Sequence, residues 1–170
     1  MPMTRLILFR HAKAERRSES GEDFDRVLTD RGRHDAVLMG EALRGLGMAP
    51  DLALVSAAAR TTGTWAAMSP AFPQARVEIR PELYDADAET LLAAAKEAGA
   101  PGTVIIVAHN PGLHEAAYLL ARSGAADAET LSRLRAGMPT ATAGVFDLSG
   151  VAPRLEAWLT AHDFGGGAGE

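Results

Sequence analysis

The segment Thr103-Val104-Ile105-Ile106-Val107-Ala108, followed at once by His109-Asn110-Pro111-Gly112, decides how this chain is read. Six uncharged, mostly apolar and β-branched residues suit a strand buried on both faces. Asn110 is well placed to cap a helix, with Pro111 at the first helical position, where a missing N–H costs nothing. That helix is expected to run through Leu113, Ala117 and Leu120 to Gly124. A buried strand feeding directly into a helix is the building unit of parallel α/β sheets.

The same alternation extends upstream and downstream. Thr4 to Phe9 is a short apolar run bounded by charge, suited to another buried strand. Thr29 or Asp30 can cap a helix that places Ala36, Met39, Leu43 and Leu46 on one face, closed by Gly45 and Gly47. Asp51 to Ser56 predicts a second strand, followed by a helix through Arg60 and Trp65 towards Pro70. Arg76 to Arg80 predicts a third, shorter strand. Asp87 then caps a helix whose inward face is Leu91, Ala94, Ala95 and Ala98. Ala143 to Leu148 and Leu155 to Leu159 supply late strands. The expected fold class is α/β, a three-layer αβα sandwich around a mostly parallel central sheet.

A chain of 170 residues with 47% hydrophobic and 23% charged residues fits one globular domain, expected over residues 1–164. Residues 165–170, Gly-Gly-Gly-Ala-Gly-Glu, are expected to form a flexible Gly-rich tail. The net charge of -5 and the sparse aromatics (5%) argue against nucleic acid and anionic membrane as partners. The absence of cysteine excludes thiol nucleophiles, disulfides and cysteine-ligated metals. Leu6-Ile7-Leu8-Phe9 ends at Arg10, too short for a leader or a membrane span, so a cytoplasmic protein is expected.

In open α/β sheets, ligands bind beyond the carboxyl ends of the strands. The first strand ends in Arg10-His11, the second leads through Ser56 into Arg60, and the long apolar strand ends in His109. Each alone has a structural explanation, as a surface side chain, a cap or a turn. Together they put two arginines and two histidines on one sheet edge. Guanidinium groups bind phosphoryl oxygens through paired planar hydrogen bonds. His109, beside a helix N-terminus, would sit where an anion is favoured, and a protonated His109 would add a donor. His11 could then attack phosphorus while the others hold the equatorial oxygens, with no metal or cofactor required.

These motifs resemble the histidine phosphatase superfamily, of phosphoglycerate-mutase-like fold. The similarity rests on Arg10-His11-Ala12, on Ser56, Arg60, Thr61 and Thr64 in a Ser-x-x-x-Arg-[Ala/Thr]-x-x-Thr pattern, and on His109 after an apolar strand. Within it, Arg10-His11-Ala12-Lys13, Leu28-Thr29-Asp30-Arg31-Gly32, Leu83-Tyr84-Asp85-Ala86 and His109-Asn110-Pro111-Gly112 are similar to the short SixA-like phosphohistidine phosphatases.

The resemblance implies His11 as nucleophile, with Arg10, Arg60 and His109 as phosphate-binding and catalytic partners. Arg26 is implied in holding the phosphate or orienting the loop, and Asn110 in the phosphate site. For the proton donor, Asp85 is the first choice and Glu82 the second; a leaving imidazole could also depart without an obvious acid. Larger relatives insert a lid before the last histidine strand. Here only the helix around Leu91 to Ala98 fills that interval, implying an open pocket. The implied substrate is a phosphohistidine-bearing protein, a phosphotransfer domain or phosphocarrier, with inorganic phosphate as product. A phosphatase for small phosphate esters and a catalytically idle phosphate-binding protein are the alternatives. Glu15-Arg16-Arg17, where small-molecule relatives carry an asparagine, speaks against mutase activity.

Overall fold

The computed structural model describes residues 2–100, 102–122, 124 and 126–169. In chain order these form β1 (Met3–Arg10), α1 (Asp30–Gly45), β2 (Leu52–Ser56), α2 (Ala59–Met68), β3 (Arg76–Arg80) and α3 (Ala88–Glu97). There follow β4 (Gly102–Ala108), α4 (Gly112–Ala121), α5 (Ala128–Ala136), β5 (Ala143–Asp147) and β6 (Arg154–Leu159). Among the described residues the strands form one sheet in the order β3-β2-β4-β1-β5-β6. The β1, β2, β3 and β4 pairings are parallel, whereas β5 runs antiparallel to both β1 and β6.

The alternation of side chains along each strand explains the layering. Leu6, Leu8, Leu52, Leu54, Val104 and Ile106 point to one face and pack under α3, α4 and α5 through Leu91, Leu113, Ala117 and Leu134. Ile7, Phe9, Ala53, Val55, Ile105 and Val107 point to the other and meet Met39 and Leu43 of α1 and Trp65 and Met68 of α2. Both faces are covered, which is why the central strands read as continuous apolar runs. Each fully buried Leu, Ile or Phe in them contributes roughly 1.5–3 kcal/mol. The result is a three-layer αβα sandwich around a mostly parallel sheet.

Local signals account for most element boundaries. Thr29 caps α1 by accepting from Gly32 N at 2.9 Å, and Asp87 caps α3 by accepting from Thr90 N at 2.8 Å. The expected Asn110 cap does not form. Asn110 Nδ2 donates instead to the Met138 carbonyl at 2.9 Å, so Pro111 is the N-cap, and α4 ends at Ala121 rather than Gly124. The Asn110–Pro111 peptide bond is cis.

Helix α5 has no counterpart in the sequence reading. It is capped by Asp127, which accepts from Thr130 N at 2.8 Å, and it fully buries only Leu134. Within the glycine-rich end, two backbone groups make hydrogen bonds. Gly166 N donates to Ala161 O at 2.8 Å and Gly167 N to Asp35 Oδ1 at 3.1 Å. Glu170, also assigned to that tail, lies outside the described residues.

Candidate active site

Three neighbouring strand ends deliver the site. Arg10 at the end of β1 stands opposite Ala108 of β4, and Val55 of β2 opposite Val107 of β4. The residues that follow these ends, His11, His109 and (through Ser56) Arg60, therefore converge. His11 and His109 face each other with ring centroids 5.5 Å apart, and each residue is only 7% exposed.

His11 Nδ1 lies 2.8 Å from the carbonyl oxygen of Ala12. A carbonyl only accepts, so Nδ1 carries the proton and donates, leaving the lone pair on Nε2. Burial lowers the His11 pKa to about 3; the Ala12 carbonyl partly opposes this, while His109, Arg10 and Arg60 add to the lowering. The ring is therefore neutral at pH 7. Its backbone is fixed from two sides. His11 N donates to Ala108 O at 3.2 Å, and Ala12 N donates to Thr64 Oγ1 at 2.9 Å. Thr64 Oγ1 in turn donates to the Arg60 carbonyl at 2.7 Å.

His109 Nε2 is 2.8 Å from Ser56 Oγ. Burial, then the charges of Arg60 and Arg10, lowers its pKa to about 4, with Asp23 acting in the opposite sense. The ring is thus neutral in the resting site. A neutral ring still donates. His109 Nδ1 is buried and has no partner; a Ser56 Oγ–H donated to Nε2 would put the ring N–H on that atom. Arg60 Nε is likewise buried and unpartnered. Buried polar nitrogens left without a protein partner are where a ligand's complementary groups would bind.

The motif positions around these residues have separate structural duties. Ser56 holds His109, Thr61 Oγ1 donates to Ser56 O at 2.6 Å, and Thr64 ties the loop after His11 to helix α2. Gly32 and Gly112 permit close backbone approach. A Cβ on Gly32 would stand 2.0 Å from Lys13 O, and one on Gly112 2.2 Å from Ala86 O.

Asp23, to which the sequence reading gave no role, lies at the centre of a network at the pocket rim. Its backbone carbonyl accepts from Arg60 Nη1 at 2.8 Å, and its Oδ2 accepts from Arg60 Nη2 at 3.0 Å and from Tyr84 Oη at 2.6 Å. Arg26 Nη1 donates to its Oδ1 at 3.0 Å. Donation from Tyr84 first, then from Arg26 and Arg60, holds this carboxyl well below the usual range. The Tyr84 ring stands edge-on to His109, with centroids 5.6 Å apart. In sequence Asp23 is one of several acidic residues in a polar loop, so only the tertiary contact distinguishes it.

The remaining candidates divide. Arg10 Nη1 and Asn110 Nδ2 both donate to Met138 O, at 3.0 and 2.9 Å, and the charge of Arg10 acts on both histidines. Arg26 is engaged within its own loop: its Nε donates to Glu15 O at 2.7 Å and its Nη1 to Asp23 Oδ1 at 3.0 Å. Asp85 is exposed, at a left-handed φ of 56°, next to Tyr84. Glu82 is exposed and paired with Arg80, which lowers its pKa. As expected, only a short turn and α3 fill the interval between β3 and β4. The turn Asp23–Asp25 meets Arg60, whose Nη1 donates to the Asp23 carbonyl.

This architecture defines a class of α/β proteins that gather a histidine pair and arginines at the carboxyl edge of the sheet. The family model of the histidine phosphatase superfamily (branch 1) matches residues 6–97, more than half the chain. The chain belongs to that superfamily.

Among solved structures, the protein assigned as phosphohistidine phosphatase SixA from Agrobacterium tumefaciens is 30% identical, with a TM-score of 0.82. The alignment covers 94% of this chain and 99% of that one. The corresponding protein from Nakamurella multipartitia is also 30% identical, with a TM-score of 0.77 over 92% of this chain and 95% of that one. Phosphoglycerate mutase from Plasmodium falciparum shares the fold, with a TM-score of 0.59 at 16% identity over 89% of this chain and 87% of that one. An uncharacterized chloroplastic protein of Arabidopsis thaliana is 35% identical over 127 residues, 68% of this chain. The chain spans 58% of the length of that curated relative.

Proposed function

We propose that this chain is a phosphatase that removes the phosphoryl group from phosphohistidine on a protein, through a transient phospho-His11. The observation that carries the reading is the neutral, buried His11 ring, whose Nδ1–H is held by Ala12 O and whose Nε2 lone pair is left to attack. The SixA assignments of two relatives at 30% identity support the same substrate class.

The steps balance without an added oxidant or reductant. Nε2 of His11 forms a bond to phosphorus as the phosphorus–nitrogen bond to the substrate imidazole breaks, and the leaving nitrogen takes a proton from solvent. Water then attacks phospho-His11 and returns one proton to solvent, inorganic phosphate leaves, and Nε2 recovers its lone pair. Arg10, Arg60 and His109 hold the equatorial oxygens, whose charge replaces the partners that Arg60 Nε and His109 Nδ1 lack. Burial makes each of these hydrogen bonds stronger than it would be in water. The cytoplasmic setting expected from the sequence belongs to this reading.

The test is a side-by-side hydrolysis assay of a phosphohistidine-bearing protein and a panel of small phosphate monoesters. Fast release from the protein and slow release from the panel is expected. The reverse would make the chain a small-molecule phosphatase with the same nucleophile, and no release from either would leave a phosphate-binding protein.

A further inference from the structure

The guanidinium of Arg60 carries five N–H donors in one plane, arranged so that two edges can each make a paired contact. In this fold one edge is fully engaged. Nη1 donates to the Asp23 carbonyl and Nη2 to Asp23 Oδ2, at 2.8 and 3.0 Å. The other edge contains Nε, which is buried and has no partner, on a side chain only 7% exposed.

We propose that Asp23 is a positioning residue: it grips the outer edge of Arg60 so that the Nε edge is presented to the phosphoryl group. The inference rests on the reading above, in which this pocket receives a phosphoryl group.

Two features separate positioning from simple charge neutralisation. The Asp23 carboxylate is shared by three donors, since Oδ2 takes both Arg60 and Tyr84 and Oδ1 takes Arg26. Its negative charge is therefore divided, and Arg60 keeps enough positive character to bind a dianion. The same carboxylate also fixes the wall of the pocket. Tyr84 Oη is tied to Asp23, the Tyr84 ring stands edge-on to His109, and the Arg60 guanidinium carbon lies 5.9 Å from the centre of that ring. One acidic side chain thus aligns an arginine, a tyrosine and, through the tyrosine, the second histidine. Its turn is anchored independently by Arg26 Nε on Glu15 O. On the outer side, Asp23 and Arg26 border a cavity of about 320 Å³ lined also by Arg16, Arg17 and Ser18. Asp23 therefore stands at the boundary between that cleft and the histidine pair.

The experiment is calorimetric titration of inorganic phosphate into the wild type, Asp23→Asn, Asp23→Ala, Arg60→Ala and the Asp23→Ala/Arg60→Ala double variant. Melting temperatures are measured alongside. Asp23→Ala is expected to weaken phosphate binding roughly 10-fold, the scale of a misaligned charged hydrogen-bond pair. Asp23→Asn, which keeps an acceptor on the side chain, is expected to recover part of that loss. In the Arg60→Ala background, Asp23→Ala is expected to cost nothing further. If Asp23→Ala does not fold, Asp23→Asn decides the sign.

Unchanged or tighter binding would overturn the proposal, the latter making Asp23 a plug rather than a guide. Additive losses would also overturn it. A wild type that binds no phosphate overturns both this inference and the proposed function. Phosphate binding without turnover of any phosphorylated substrate overturns the proposed function alone.

Discussion

Gly32, in the first turn of α1, lies so close to Lys13 that a Cβ there would meet the Lys13 carbonyl oxygen at 2.0 Å. That carbonyl also accepts the Thr29 backbone N–H at 3.0 Å, so the start of α1 and the loop carrying His11 are locked together. Replacing Gly32 by Ala forces the loop outward. The expected cost is about 1–3 kcal/mol of stability, as in other overpacked sites, together with a lower kcat. Denaturant unfolding and steady-state kinetics check this, and a neutral Gly32→Ala would show that the loop is not held here.

His11→Ala removes the ring whose Nε2 lone pair is set by the Nδ1–H donated to the Ala12 carbonyl. Turnover is expected to fall by roughly 1,000-fold or more, the scale found for removed nucleophiles. Trapping by rapid acid-free quench and phosphorus NMR should detect phosphohistidine on the wild type and none on the variant. Residual turnover near the wild-type level would assign the chemistry elsewhere.

The two buried rings set a pH dependence of stability. Their pKa values are lowered from 6.5 to about 3 for His11 and about 4 for His109. Between those values and 6.5 the unfolded chain binds protons that the folded chain does not. Stability therefore rises with pH through this window and is lost as pH falls below 6.5. At pH 5 each ring costs on the order of 1–2 kcal/mol relative to pH 7. Ring proton NMR should find both histidines neutral at pH 5 in the phosphate-free protein; titration of either near 6.5 would contradict the burial argument.

Asp85→Asn tests the proton donor. A phosphate ester needs its leaving oxygen protonated, whereas an imidazole leaves more readily, so ester hydrolysis should slow more than phosphohistidine hydrolysis. Equal slowing of both would remove Asp85 from that role. Its exposed position beside Tyr84 makes a water-mediated path the expected one.

What the sequence by itself determined lies in short windows. Thr103 to Ala108 reads as a buried strand because its side chains meet helices on both faces, and Thr29 and Asp87 read as caps because each serves a backbone N–H three residues on. Strand ends are also local, so Arg10, His11, Arg60 and His109 could be placed on one edge before their neighbours were known. Helix α5 was passed over because Leu131 and Leu134 are its only large apolar residues, too few to mark a buried face along the chain.

Only the tertiary structure decided the pairings. Ser56 meets His109 across 53 residues, Arg60 meets Asp23 across 37, and Asn110 meets Met138 across 28. Such contacts depend on strand order and loop path, which no local window encodes. The same is true of protonation. His109 looks like a candidate cation beside a helix N-terminus, yet burial next to two arginines makes it neutral. Asn110 looks like a cap, yet a distant carbonyl takes its amide. Hydrophobic alternation and capping act over a few residues and so can be read along the chain. Charge, desolvation and hydrogen-bond choice are set by whatever the fold brings within about 4 Å.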